Sequence, residues 1–203
     1  MGDVSPERFD RTRSLPTAVK ILIAGGAGVG KTALVEAISE IDPLRTEGTP
    51  DDAAFCVAAS EGLQTTVLPT DTLDFGRITI DEALILYLFD TPEHSRRWQL
   101  RDEVTGGALG AVILADPARL DECAPVIEYF KSHGTPYVVA VTHVAGARDD
   151  QLAAVRRALA IDPRVPVAHC DPNLRESARS VLITLLECVR AAMYRRATTI
   201  MTA

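Results

Sequence analysis

Apolar residues fall along this chain in short runs that alternate with stripes at helical spacing. Val19 to Ala24 is a largely apolar run, rich in β-branched residues, that stops at a glycine pair. A buried parallel strand entering a tight turn has this pattern. Ala33, Leu34, Ala37 and Ile38 then mark one face of a helix over Lys31–Ser39, ended by Asp42-Pro43. Leu73–Ile80 alternates loosely and Ala83–Phe89 is apolar up to Asp90, with only Asp81 and Glu82 between them. That pair predicts a hairpin and hence one antiparallel edge. Beyond it the pattern becomes regular: strand Ala108–Ala115, helix Leu120–Ser132, strand Tyr137–Thr142, helix Gln151–Ile161, short strand Val165–His169 and a long helix Leu174–Arg195.

Strands alternating with helices predict an α/β fold, a mostly parallel six-stranded sheet with one antiparallel edge strand and helices on both faces. Ligands of such sheets bind outside the carboxyl ends of the strands. Residues 1–17 are polar, with Pro6 and Pro16, and read as a mobile tail; 18–196 form one domain and 197–203 a C-terminal tail. Leu44–Asp71 shows no periodicity, and a loop of that length in a compact domain is functional or partly disordered. Thr91–Thr105 is charged and contains Trp98.

Composition narrows the partners. The 203 residues carry a net charge of −7 with no basic stripe, which argues against a nucleic-acid partner held by phosphate contacts. Cys56, Cys123, Cys170 and Cys188 are far apart and read as reduced, mostly buried thiols. His169-Cys170 supplies two adjacent ligands, too few for a zinc site. No apolar run approaches the roughly 18 residues of a membrane span. Pro6 occupies the position where a myristoylation signal needs Ser or Thr, so the expectation is a cytoplasmic protein without direct membrane insertion.

The candidate chemistry begins where the first strand ends. Gly25, Gly26, Ala27, Gly28, Val29, Gly30, Lys31 and Thr32 match G-x-x-x-x-G-K-[ST] between a predicted strand and the predicted helix over Lys31–Ser39, whose apolar pattern starts at Ala33, the context that identifies a P-loop. Glycines let backbone N–H groups close on a phosphate, and the helix N-terminus adds its positive end. In this reading Lys31 bridges the β- and γ-phosphates and Thr32 ligates Mg²⁺ through its hydroxyl. The hydrophobic run ILYLF ending at Asp90 suits a Walker B aspartate on the same Mg²⁺.

Asp90-Thr91-Pro92-Glu93-His94 resembles the D-T-x-G-Q signature that opens the second switch of Ras-like GTPases. Thr70, four residues before Asp74-Phe75, resembles the first-switch threonine of Rab-like and MglA-like GTPases, with Thr66 as the second candidate. That threonine contributes a third metal contact in the family and couples loop order to nucleotide state. The stretches PLRTEG, LDFGRITI, LYLF, VPVAHCD and RESARSVLITLLE resemble the small GTPases encoded in actinobacterial conservons, relatives of MglA, over about Lys20 to Val189. The resemblance implies a Mg²⁺-dependent GTP/GDP switch with slow hydrolysis. It also implies a Roadblock-type partner and a sensor-kinase-like membrane complex that could recruit the protein to the membrane.

The chain departs from that family at three places. Glu93 replaces the glycine that pivots against the γ-phosphate, adding a side chain and like charge and predicting a blunted switch. His94 replaces the glutamine that orients the attacking water; imidazole, with an ordinary pKa of about 6.5, suits that role or simply faces solvent, and Arg96 and Arg97 stand nearby. Thr142-His143-Val144-Ala145 replaces the base-reading N-K-x-D, so no carboxylate is left for the guanine edge. Asp149, Asp150 or Asp171 are the available substitutes, and Cys170-Asp171 falls where the family's second base-contacting loop lies. The departures keep a second class of function open: a pseudo-GTPase or scaffold of the same fold with weak or no hydrolysis and relaxed base specificity. A phosphotransferase with another acceptor is the remote third.

Overall fold

A computed structural model describes residues 16–42, 75–91, 105–142 and 149–201. Its strands are β1 (Thr17–Gly25), β2 (Phe75–Thr79), β3 (Leu84–Asp90), β4 (Ala108–Ala115), β5 (Tyr137–Val141) and β6 (Val167–His169). Its helices are α1 (Lys31–Ile38), α2 (Ala124–Ser132), α3 (Asp149–Ala158) and α4 (Arg175–Met201). The described residues form one six-stranded sheet in the order β2-β3-β1-β4-β5-β6. Only β2 runs antiparallel, against β3, with Phe75 opposite Phe89 and Thr79 opposite Ile85. The remaining pairs are parallel. The fold predicted from the alternation of apolar runs is therefore the fold observed.

Side-chain alternation along the strands builds two cores, one on each face of the sheet. Ile21, Ile23, Leu86, Leu88, Val112 and Leu114 meet Leu34, Val35 and Ile38 of α1 and Val181, Leu182, Leu185 and Val189 of α4. Leu22, Ala24, Ala111, Ile113 and Val139 turn the other way, onto Val126, Ile127 and Phe130 of α2. Small residues set the closest approaches: a Cβ at Gly110 would lie 3.0 Å from Leu185 Cδ1, where α4 presses on the sheet.

The differences from the predicted elements have local causes. The apolar stretch Leu120–Ser132 is not one helix but a 3-10 turn at Leu120–Glu122 followed by α2, which starts with Pro125 in its first turn. Proline is accommodated there because the first helical N–H groups have no partner within the helix. The last helix runs on through Met201 rather than ending at Arg195.

The outer side of β2 is occupied by the segment that follows α1. Ser39 Oγ accepts the Arg77 N–H at 3.2 Å, the Glu40 N–H donates to the Arg77 carbonyl at 2.8 Å, and Glu40 Oε2 accepts the Thr79 N–H at 3.0 Å. Thus α1 begins at the glycine-rich loop and ends fastened to the edge strand.

Candidate functional site

The carboxyl ends of β1 and β3 lie side by side, with Ile23 opposite Asp90. Between β1 and α1 the chain turns through Gly25, Gly28 and Gly30, whose φ values of 144°, 64° and 102° lie where residues with a Cβ rarely go. Gly25 has a second constraint, since a Cβ there would sit 2.5 Å from the Leu114 carbonyl of β4. Gly26 is likewise closed, by the Glu122 side chain. Gly30 is the N-cap of α1 and no side chain caps it. The first N–H groups of the helix therefore open toward the loop, the arrangement that receives an anion.

Lys31 lies inside this arch, 2% exposed, and its Nζ donates to the Gly26 carbonyl at 3.0 Å. A buried ammonium held by a carbonyl dipole still carries a desolvation cost, which a polyphosphate placed beside it would offset. Thr32 Oγ1 donates to Asp90 Oδ2 at 3.0 Å. The hydroxyl proton is spent on the carboxylate, so the threonine oxygen keeps lone pairs to offer. A hydroxyl and a carboxylate oxygen are hard donors of the type Mg²⁺ takes together with water and phosphate oxygens, and the pair fits that ion. Beside them Thr91 is 1% exposed and its hydroxyl has no hydrogen-bond partner, while its N–H donates to the Ile23 carbonyl at 2.9 Å.

A second layer supports the loop. After β4, Arg119 Nη1 donates to the Ala27 carbonyl at 3.0 Å. The guanidinium is held in turn by Asp116, Nε to Oδ2 at 3.1 Å, and by Glu122, Nη1 to Oε1 at 3.3 Å. Sequence reading missed this group, because Asp116, Arg119 and Glu122 match no motif and meet Ala27 across 92 positions.

The expected site residues divide into those brought together and those not reached. Gly25 through Ala33, with Asp90, converge at the ends of β1 and β3. Thr142 follows β5, fully buried, with its N–H and hydroxyl turned to the Ala115 carbonyl at 2.9 and 3.4 Å. Cys170 is buried behind the β6 end, and desolvation pushes its thiol up to about 11. Asp171 is exposed and folds its carboxylate onto Asn173. Asp149 and Asp150 open α3, away from that turn in sequence. Thr66, Thr70, Glu93, His94, Arg96, Arg97, His143 and Ala145 lie outside the described residues. Among the described residues Cys123 and Cys170 are buried free thiols and Cys188 is half-buried, while Cys56 lies outside them. Among the described residues no cluster of three metal-ligating side chains occurs.

This fold has solved counterparts. The chain is similar to the cytosolic domain of the T. maritima FeoB iron transporter in GDP form I, with a TM-score of 0.57 and 18% identity over 87% of this chain and 65% of that one. With the apo form of the same domain the TM-score is 0.56 and the identity 19%, over 85% of this chain and 64% of that one. The fold is that of a P-loop G-domain. At such identities the likeness is one of architecture, and the chain spans just under two thirds of the length of those structures. No family model matches the sequence, and no curated protein matches it. Among the described residues no helix is long and apolar enough to cross a membrane.

Proposed function

We propose that this G-domain is a Mg²⁺-dependent nucleotide switch that binds GTP and GDP and hydrolyses GTP slowly. The observation that carries the reading is the convergence of Lys31, Thr32 and Asp90 under an arch of three positive-φ glycines. Lys31 is the residue for the β- and γ-phosphates. The backbone N–H groups from Gly28 to Ala33 are the cradle. Thr32 and Asp90 would hold Mg²⁺, which when bound neutralises charge on the phosphates. Thr70 is the third metal contact suggested by the family resemblance, and His94 the residue that would place the attacking water. The solved GDP form of a domain with the same fold supports guanine as the base. The resemblance to conservon GTPases supports a Roadblock-type partner, a sensor-kinase-like membrane complex and action in the cytoplasm.

The second reading, a nucleotide-holding scaffold with little turnover, is favoured by Glu93 and His94 in place of the family's glycine and glutamine. Titration calorimetry with GTP and GDP, together with phosphate release, tests the binding site. Lys31→Ala is expected to abolish both, and a variant that binds and releases phosphate like the parent sinks the switch. Capture of a Roadblock-type partner separates the two readings: a switch responds strongly to a non-hydrolysable GTP analogue, whereas a scaffold ignores it.

A further inference from the structure

The long helix α4 spends one side on the core, through Val181, Leu182, Leu185 and Val189, and turns a line of side chains the other way. At about 100° per residue, Glu176, Arg179, Ile183, Glu187, Arg190 and Tyr194 fall within about 40° of a line through Ile183, and all six are exposed. Ile183 is 48% exposed and Tyr194 69%. A single exposed isoleucine needs no explanation. The order of charges around this one does. Arg179 stands four residues before Ile183 and Glu187 four after; Glu176 stands seven before and Arg190 seven after. Each cation on one side is thus matched by an anion equally far along on the other. Within the chain Arg179 lies 3.9 Å from Glu176, and among the described residues Glu187 and Arg190 form no ion pair.

A surface with that order is complementary to itself. Two α4 helices laid antiparallel about a two-fold axis at Ile183 bring residues equally far before and after it opposite one another. Ile183 then meets Ile183 of the second copy, each Arg179 meets a Glu187 and each Glu176 an Arg190, so four ion pairs surround one apolar contact. Ser180, a small residue, comes opposite Leu186, which lets the helices approach. A parallel pair would set Arg179 against Arg179 and Glu187 against Glu187, and like charges repel. An isologous contact requires this kind of match, in which one patch serves both copies.

We infer that the outer face of α4 is where a second copy of this chain docks, antiparallel, about an axis at Ile183. From Glu176 to Tyr194 the pairing spans about five helical turns, or roughly 28 Å of helix. One helix pair lies at the low end of interface size, so the dimer is reversible, with a dissociation constant of about 10 to 100 µM. The helix starts beyond the carboxyl end of β6 and runs back toward the amino ends of the strands, so the two P-loops of an antiparallel pair lie at opposite ends of it. The dimer therefore forms with or without nucleotide, and it does not depend on the nucleotide-binding reading above.

Sedimentation equilibrium of the full chain without nucleotide, from about 5 to about 300 µM, tests this across the expected dissociation constant. The wild type is expected to pass from monomer to dimer over that range. Glu187→Arg sets an arginine opposite Arg179 at two symmetry-related places, and Arg179→Glu sets a glutamate opposite Glu187. Each is expected to weaken the dimer about tenfold, because every substitution is felt twice across the axis. Ile183→Ser removes the central contact and is expected to weaken it to a similar degree. The double variant Arg179→Glu, Glu187→Arg exchanges the two signs, remakes the pairs and is expected to dimerise within about threefold of the parent. A wild type that stays monomeric throughout leaves this face to a partner of another kind and overturns the inference. So does a dimer as tight in the single variants as in the parent, and so does a double variant no better than the single ones.

Discussion

Thr32 Oγ1 donates to Asp90 Oδ2 at 3.0 Å, tying the first turn of α1 to the last residue of β3 across 58 positions of sequence. The contact makes a structural pair of two residues whose oxygens suit one cation. Thr32→Ala and Asp90→Asn are therefore expected to lower Mg²⁺-supported nucleotide affinity by about tenfold to about a hundredfold, since hydrogen bonds involving a charged group are worth about 1.5–3 kcal/mol. Thr32→Ser keeps the hydroxyl and is expected to stay close to the parent. Titrations with Mg²⁺ and with EDTA check this: equal losses under both conditions would falsify the metal role.

Arg119 supports the P-loop from behind, through the Ala27 carbonyl, while Asp116 and Glu122 hold its guanidinium. Its side chain is 39% exposed, so the net effect of losing it is modest. Arg119→Ala is expected to weaken nucleotide affinity about twofold to tenfold, in line with one hydrogen bond of about 0.5–1.5 kcal/mol, by letting the loop relax. Arg119→Lys, which keeps charge but not the fork, restores only part of this. The readout is the nucleotide dissociation rate beside a thermal melt; an unchanged rate in a normally melting variant removes Arg119 from the site.

Cys123 and Cys170 are each pushed up to about 11 by burial. An unfolded thiol ionises near its ordinary pKa of about 8.5, so above that value the folded state holds more protons than the unfolded one. Stability is then fully present below about pH 8.5 and falls as pH rises toward 11. Urea midpoints between pH 8 and 11 are expected to decline, and a Cys123→Ala, Cys170→Ala double variant to decline less steeply. Identical slopes would remove the thiols as the cause.

The parts of this molecule legible in the sequence are those fixed by local pattern. The sequence Gly25 to Thr32 announces itself because phosphate capture demands glycine at set spacings. The strands announce themselves because both faces of the sheet are buried. Even the meeting of Thr32 with Asp90 was foreseeable, as each stands at the carboxyl end of a predicted parallel strand or just beyond its turn. What stayed hidden depends on tertiary approach. The break ahead of α2 hinges on Pro125 serving as a helix start, where an apolar stripe alone suggests continuity. Arg119 reaches Ala27 and Pro172 reaches Gly30 only after α2 and α4 have packed on opposite faces. No spacing rule encodes either contact.

The fastening of Ser39 and Glu40 along β2 has a consequence for recognition. An exposed sheet edge is a standing invitation to strand addition by another chain. Here the outward N–H groups of Arg77 and Thr79 and the Arg77 carbonyl are already engaged. A partner arriving at this margin finds its backbone ladder taken at those positions, and must read side chains or displace the end of α1. Because α1 starts at the phosphate loop, a partner that pried that end loose would be pulling on the nucleotide site from its far side.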